Sequence, residues 1–256
     1  MESGNGNNLG KKIFFLHPAA VLQNQIISEL AQEEFEVYIV KNEEKIRQVL
    51  QKNPDSILFA SINEALKEAA WIDLIQSIKK HPETASVGIG IITSSSSDET
   101  KQKYAEMVSI RGGYVVIKSD IVVATKHLST VLNGVDAKGR RKYIRLIIEK
   151  EANTTVNLPV NGTYINGSIK DISVVGFSCV FAEDPQLKKN SLFGDMQLRL
   201  QSQLLKAEGI VFGSRMEGND KVYVILFSQR VEPNVKSRIR KYIQNILQNK
   251  LDEELK

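Results

Sequence analysis

The chain has 256 residues, 42% apolar and 25% charged, which places it among globular proteins and excludes a fibrous or largely disordered chain. A single cysteine, Cys179, excludes an internal disulfide and a cysteine-based metal cage, and three scattered histidines (His17, His81, His127) point to no metal site. The formal charge of +4 is uneven: residues 1–134 carry 14 Lys and Arg against 16 Asp and Glu, and residues 135–256 carry 20 against 14, so an anionic partner is expected in the second half.

This length suits two ordinary domains. No apolar run approaches the ~20 residues that cross a bilayer. Residues 1–10 read as a disordered tail without the basic start and apolar core of a signal peptide, so a cytoplasmic protein is expected.

From residue 11 to 133, short apolar runs alternate with helical patterns. Strands are expected at Lys12–Leu16, Glu36–Val40, Ser56–Ala60, Val87–Ile92 and Tyr114–Ile117. Helices are expected at Val21–Phe35, Glu43–Leu50, Glu64–Lys80, Asp98–Val108, with Asp98 as a cap, and Ile121–Leu132. Five such pairs imply an α/β domain with a parallel five-stranded sheet covered on both faces. Ser94–Ser97 is a flexible loop or a cradle of backbone N–H groups for an anion. His17 has no acidic partner or nucleophile beside it in sequence and reads as structural.

Residues 134–142 contain two glycines and then a basic cluster, and are expected to be the interdomain linker. From 143 to 256 the pattern becomes an antiparallel β-barrel with a C-terminal helix. Strands are expected at Tyr143–Lys150, Thr155–Val160, Tyr164–Ile172, Gly176–Phe181, Met196–Leu200, Leu204–Gly213 and Lys221–Phe227, the last two joined by a hairpin at Glu217–Asp220. Pro233 opens a helix whose Val235, Ile239, Tyr242, Ile243, Ile246 and Leu247 form one face, suited to covering the barrel. The aromatics Phe177, Phe181, Phe193 and Phe212 are expected in the core.

Two motifs carry the chemistry. Arg140, Arg141 and Arg145 cluster at the joint, Arg141 and Arg145 spaced Arg-x-x-x-Arg; Asp171-Ile172-Ser173-Val174-Val175-Gly176 lies 26 residues after Arg145. A guanidinium fork meets the paired acceptors O6 and N7 of guanine, stacks on purine faces and pairs with phosphate. A carboxylate accepts from guanine N1–H and N2–H₂, the edge arginine cannot serve, and a serine two residues along shares its face.

In order, spacing and β-rich context these motifs resemble the PilZ family, over roughly residues 138–250, with no departure at a motif position. The resemblance implies a β-barrel receptor for cyclic di-GMP, with Arg140, Arg141, Arg145, Asp171, Ser173 and Gly176 as ligand residues. It implies no metal or other cofactor, and a role in motility, adhesion or surface behaviour through a protein partner. Ligand would draw the linker arginines onto the barrel and alter the interdomain arrangement.

The first half resembles a receiver domain of two-component signalling, but lacks its chemistry. His17-Pro18 stands where the metal carboxylates belong and Ala60-Ser61-Ile62-Asn63 where the phosphorylatable aspartate belongs; Thr93 or Ser94 and Lys118 are retained. It is expected to be a degenerate receiver. Two other readings stay open: a PilZ-fold adaptor that has lost its ligand, and a basic barrel that contacts nucleic acid. No nucleophile–base pair suggests an enzyme.

Overall fold

The computed structural model describes residues 10–117, 120–140, 142–149 and 153–256. They divide into two compact units, one of residues up to Lys142 together with Gln248–Lys256, the other of Tyr143–Leu247.

The first unit is the expected parallel α/β domain. Strands β1 (Ile13–Leu16), β2 (Val37–Val40), β3 (Ile57–Ser61), β4 (Gly88–Thr93) and β5 (Tyr114–Val116) form one sheet in the order β2-β1-β3-β4-β5. β1 and β3 are buried at every position, as strands covered on both faces must be. Helix α1 begins with a π-wound stretch, Leu22–Ile27, before the regular Ser28–Gln32, and still buries Leu22, Ile26, Ile27 and Leu30. Helices α2 (Glu43–Lys52), α3 (Glu68–Lys80), α4 (Asp98–Ala105) and α5 (Ile121–Gly134) follow.

Two local expectations are corrected here. Helix α3 starts four residues later than its periodicity suggests, because Ala65 adopts φ 59° and the Trp71 indole donates to the Glu64 carbonyl at 3.0 Å, fixing a turn instead of a helical one. The α4 cap is Ser97, whose hydroxyl accepts from the Thr100 N–H at 3.5 Å; Asp98 sits in the first turn, where its charge suits the helix dipole. His17 is held from a distant element: its Nε2 lies 2.8 Å from Glu43 Oε2 at the start of α2.

After α5 the chain forms turns over 135–140 and remains part of this unit. Ala137 is buried, its carbonyl accepts from the Lys11 N–H at 2.7 Å, and the Lys138 ammonium sits 4.3 Å above the Phe35 ring. On edge strand β2 the Gln248 carboxamide pairs with both backbone groups of Ile39, accepting from its N–H and donating to its C=O, each at 2.9 Å. A single side chain thereby blunts the open edge of the sheet.

The second unit is the expected antiparallel barrel. β7 (Thr154–Val160), β8 (Thr163–Ser173), β9 (Gly176–Phe181), β10 (Leu192–Leu200), β11 (Gln203–Glu217) and β12 (Asp220–Phe227) pair as β7-β10-β11-β12-β9, and β8 closes the ring between β9 and β7. The β11–β12 hairpin turns at Gly218, φ 61°, with Glu217 opposite Asp220. Of the strand expected over 143–150, the described residues 143–149 form only β6 (Leu146–Ile147), paired to Ile172 and Asp171 of β8, and Lys150 lies outside the described residues. Pairing ends where β8 bulges at Lys170.

Helix α6 (Pro233–Glu254) closes the barrel core with Ile239, Tyr242, Ile243 and Ile246 buried, and the Tyr242 hydroxyl bonds Thr154 Oγ1 at 2.8 Å. Phe177 and Phe193 are buried and Phe181 partly so, but Phe212 is not a core residue. It stands at the register shift between Val211 and Gly213 and is 58% exposed, with the Lys189 ammonium 5.8 Å from its ring.

Candidate nucleotide site on the barrel

The Asp-x-Ser-x-x-Gly motif is a β-hairpin. Val174 and Val175 form its two-residue turn, which sets Ser173 opposite Gly176, Ile172 opposite Phe177 and Asp171 opposite Ser178. Ile172 points into the core, so Asp171 and Ser173 share the outer face.

Asp171 is held from two sides. The Ser178 hydroxyl donates to Oδ2 at 2.5 Å, and Arg145 Nε lies 3.6 Å from Oδ1. Arg145 precedes β6, and the β6–β8 pairing delivers it to this place. The guanidinium is half exposed while the carboxylate is largely covered, at 50% and 16%. At 3.6 Å the pair is an ion contact without a hydrogen bond, and a half-exposed pair of this kind contributes on the order of 0–1 kcal/mol. An anion could therefore take the guanidinium at little cost, leaving Asp171 to a donor.

The charge of Asp171 reaches one more group. Burial, and behind it this carboxylate, pushes the Cys179 thiol up to about 12, so the free cysteine stays protonated and inert.

Ser173 and Gly176 are both buried and build the hairpin. The Ser173 hydroxyl donates to the Gly176 carbonyl at 3.2 Å and accepts from the Val175 N–H at 3.4 Å. Gly176 has no left-handed φ; a Cβ there would strike the Ile225 carbonyl and come within 3.0 Å of Leu226 Cα. Its immediate reason is the close approach of β12.

From Gly176 the outer face continues across the barrel through directly paired residues: Gly176 to Leu226, Leu226 to Ile210, Ile210 to Leu192. All three side chains beyond the glycine are apolar and exposed, an open platform beside the charged pair.

Arg140 lies in the closing turns of the first unit and is exposed; Arg141, like Lys118, lies outside the described residues. Ser178 went unnoticed in the sequence. The signal was available, because a two-residue turn at Val174–Val175 places it opposite Asp171.

At the strand ends of the first unit, Asn63 accepts from the Thr93 hydroxyl at 2.9 Å and from the Ser94 N–H at 2.7 Å. The N–H groups of Ser95 and Ser97 are taken by Thr93 Oγ1 and Ser95 Oγ, so the serine loop spends these donors internally. Among the described residues no group of three or more His, Cys, Asp or Glu could hold a metal ion, and no helix is long and apolar enough to cross a membrane.

Parts of the chain are similar to several solved structures. Escherichia coli YcgR in complex with c-di-GMP is 15% identical, with 45% of this chain covering 49% of that one at a TM-score of 0.39. Klebsiella pneumoniae MrkH with c-di-GMP is 18% identical, 45% covering 55%, at 0.40. Vibrio cholerae CheY4, a chemotaxis response regulator, is 15% identical, 49% covering 98%, at 0.40. The chain thus spans about half the length of YcgR. No curated protein sequence matches significantly. The PilZ family profile matches residues 139–245, taking in both motifs, every barrel strand and the first half of α6. That segment of the chain is a PilZ domain.

Proposed function

We propose that the chain is a cyclic di-GMP receptor that acts by binding and not by catalysis. The observation that carries this is the apposition of Arg145 and Asp171 inside a PilZ match that includes both motifs. Arg145, with Arg140 and Arg141 from the preceding segment, supplies forks for phosphate and for the O6/N7 edge of guanine. Asp171, oriented by Ser178, accepts from guanine N1–H and N2–H₂. Ser173 and Gly176 act as binding residues by shaping the hairpin that presents Asp171, and the platform of Leu226 and Ile210 offers an apolar seat for a base.

The output is conformational. Ligand draws the arginine segment onto the barrel, changes the arrangement of the two units, and exposes or hides a surface for a protein partner in the cytoplasm. Control of motility or surface behaviour is the output that the PilZ resemblance suggests. The first unit serves as a protein-contact module, since neither a phosphoacceptor aspartate nor the metal carboxylates are present at its strand ends.

Calorimetric titration with cyclic di-GMP tests this, beside an Arg141→Ala/Arg145→Ala double variant. Micromolar binding, about −8 kcal/mol, is expected for the native chain and its loss in the variant. Equal heat in both would move the site off the arginines. No heat in either would refute the receptor reading and leave the adaptor.

A further inference from the structure

The first unit contains a cleft of about 660 Å³ between α5 and the turn at Arg111–Gly112, within the size range of small-molecule sites. Its walls combine two chemistries. Val123, Val131 and Val135 supply apolar surface, and Arg111, Lys126 and His127 supply basic groups. Among the described residues no acidic side chain lines it, and neither Arg111 nor Lys126 forms an ion pair with a described residue.

The wall is fixed in place. His127 Nε2–H donates to the Gly112 carbonyl at 3.0 Å, tying the turn to the helix, and Gly112 takes φ 75° to make that turn. Uncompensated cations around an apolar, partly enclosed cleft concentrate positive potential where a ligand's anionic group would sit.

A second feature points the same way. Gly134, the last residue of α5, lies in the cleft wall without a left-handed φ, and a Cβ built on it meets nothing within 4 Å. Glycine is a poor residue for a helix unless backbone geometry demands it, and here geometry does not. Its effect is to leave the cleft open.

We infer that this cleft binds an amphipathic organic anion, an aromatic or other compact apolar body carrying a carboxylate, separate from the nucleotide site on the barrel. The carboxylate meets Arg111 and Lys126, and the apolar body lies over Val131 and beside Gly134.

The test is calorimetry of the full chain with 2-naphthoate and with its uncharged analogue 2-naphthalenemethanol. Submillimolar, one-to-one binding of 2-naphthoate is expected, with the alcohol at least fivefold weaker. Gly134→Phe, which fills the cleft, and Arg111→Glu/Lys126→Glu, which reverses its charge on exposed side chains, should each weaken naphthoate at least tenfold. Arg145→Ala should leave it unchanged. Thermal melts of each variant establish that it folds; if Gly134→Phe does not, the charge-reversal pair decides alone. Absence of naphthoate binding at millimolar concentration, equal binding of acid and alcohol, or affinity indifferent to the charge reversal would each overturn the inference.

Discussion

Replacing Gly176 with alanine separates two reasons for a glycine in the Asp-x-Ser-x-x-Gly motif. If the glycine exists to admit a ligand, the apo protein should tolerate a methyl group. The structure says otherwise: the new Cβ would be driven into the Ile225 carbonyl and lie 3.0 Å from Leu226 Cα, and backbone of a paired strand yields far less readily than a side-chain tip. Overpacking of this kind costs about 1–3 kcal/mol, against about 0.4–1 kcal/mol recovered by restricting the unfolded chain. A net loss of about 1–2 kcal/mol is expected. For a unit running from Tyr143 to Leu247 this lowers the melting temperature by roughly 4–10 °C. Differential scanning calorimetry without ligand measures it, with Gly134→Ala as the control, because a Cβ there meets nothing. Gly167→Ala should fall between the two, since its Cβ meets the Phe181 ring, a side chain able to turn away. A Gly176→Ala variant that melts within a degree of the native chain and yet loses cyclic di-GMP would refute the packing argument.

Ser178→Ala removes the donor that orients Asp171; it should cost about 1.5–3 kcal/mol in unfolding free energy and weaken cyclic di-GMP in calorimetry, while Ser178→Thr restores much of both. Cys179 should resist a thiol reagent at pH 8, reacting roughly a thousandfold more slowly than an ordinary thiol, with labelling brought on only by denaturant. Its folded-state pKa is raised, so its contribution to stability is intact below the ordinary thiol value and is lost as pH climbs from about 9 towards about 12, which denaturant titrations across that window would register and Cys179→Ala would abolish. Gln248→Ala strips both hydrogen bonds from Ile39, and hydrogen exchange should show the Ile39 amide losing protection while the amides of β3 keep theirs.

What could be read from the sequence follows from how local each determinant is. The strands of the first unit show as unbroken apolar runs because both faces are buried, and the element order then dictates a parallel sheet. Where a single tertiary contact overrides periodicity, the reading failed: the Trp71 indole holds Glu64 in a turn where a helix was expected. The expected strand over 143–150 failed for a related reason. Its composition is right, but a strand needs a partner, and β8 pairs in register with Leu146 and Ile147, the Ile148 N–H reaching the Lys170 carbonyl at the bulge.

The site divides along the same line. Arg145 and Asp171 were legible as residue types with a purpose, and the β6–β8 pairing brings them together. Their neighbours were read by chemistry alone, as a hydroxyl and a gap for a ligand, when pairing register assigns them first to the scaffold. Ser173 and Gly176 face each other across a two-residue turn, and that turn fixes which residue stands opposite Asp171. A one-residue slip would exchange Ser178 for Phe177 and turn the carboxylate towards the core. The motif therefore specifies a register as well as a set of donors, and its serine and glycine can be indispensable to a ligand that touches neither.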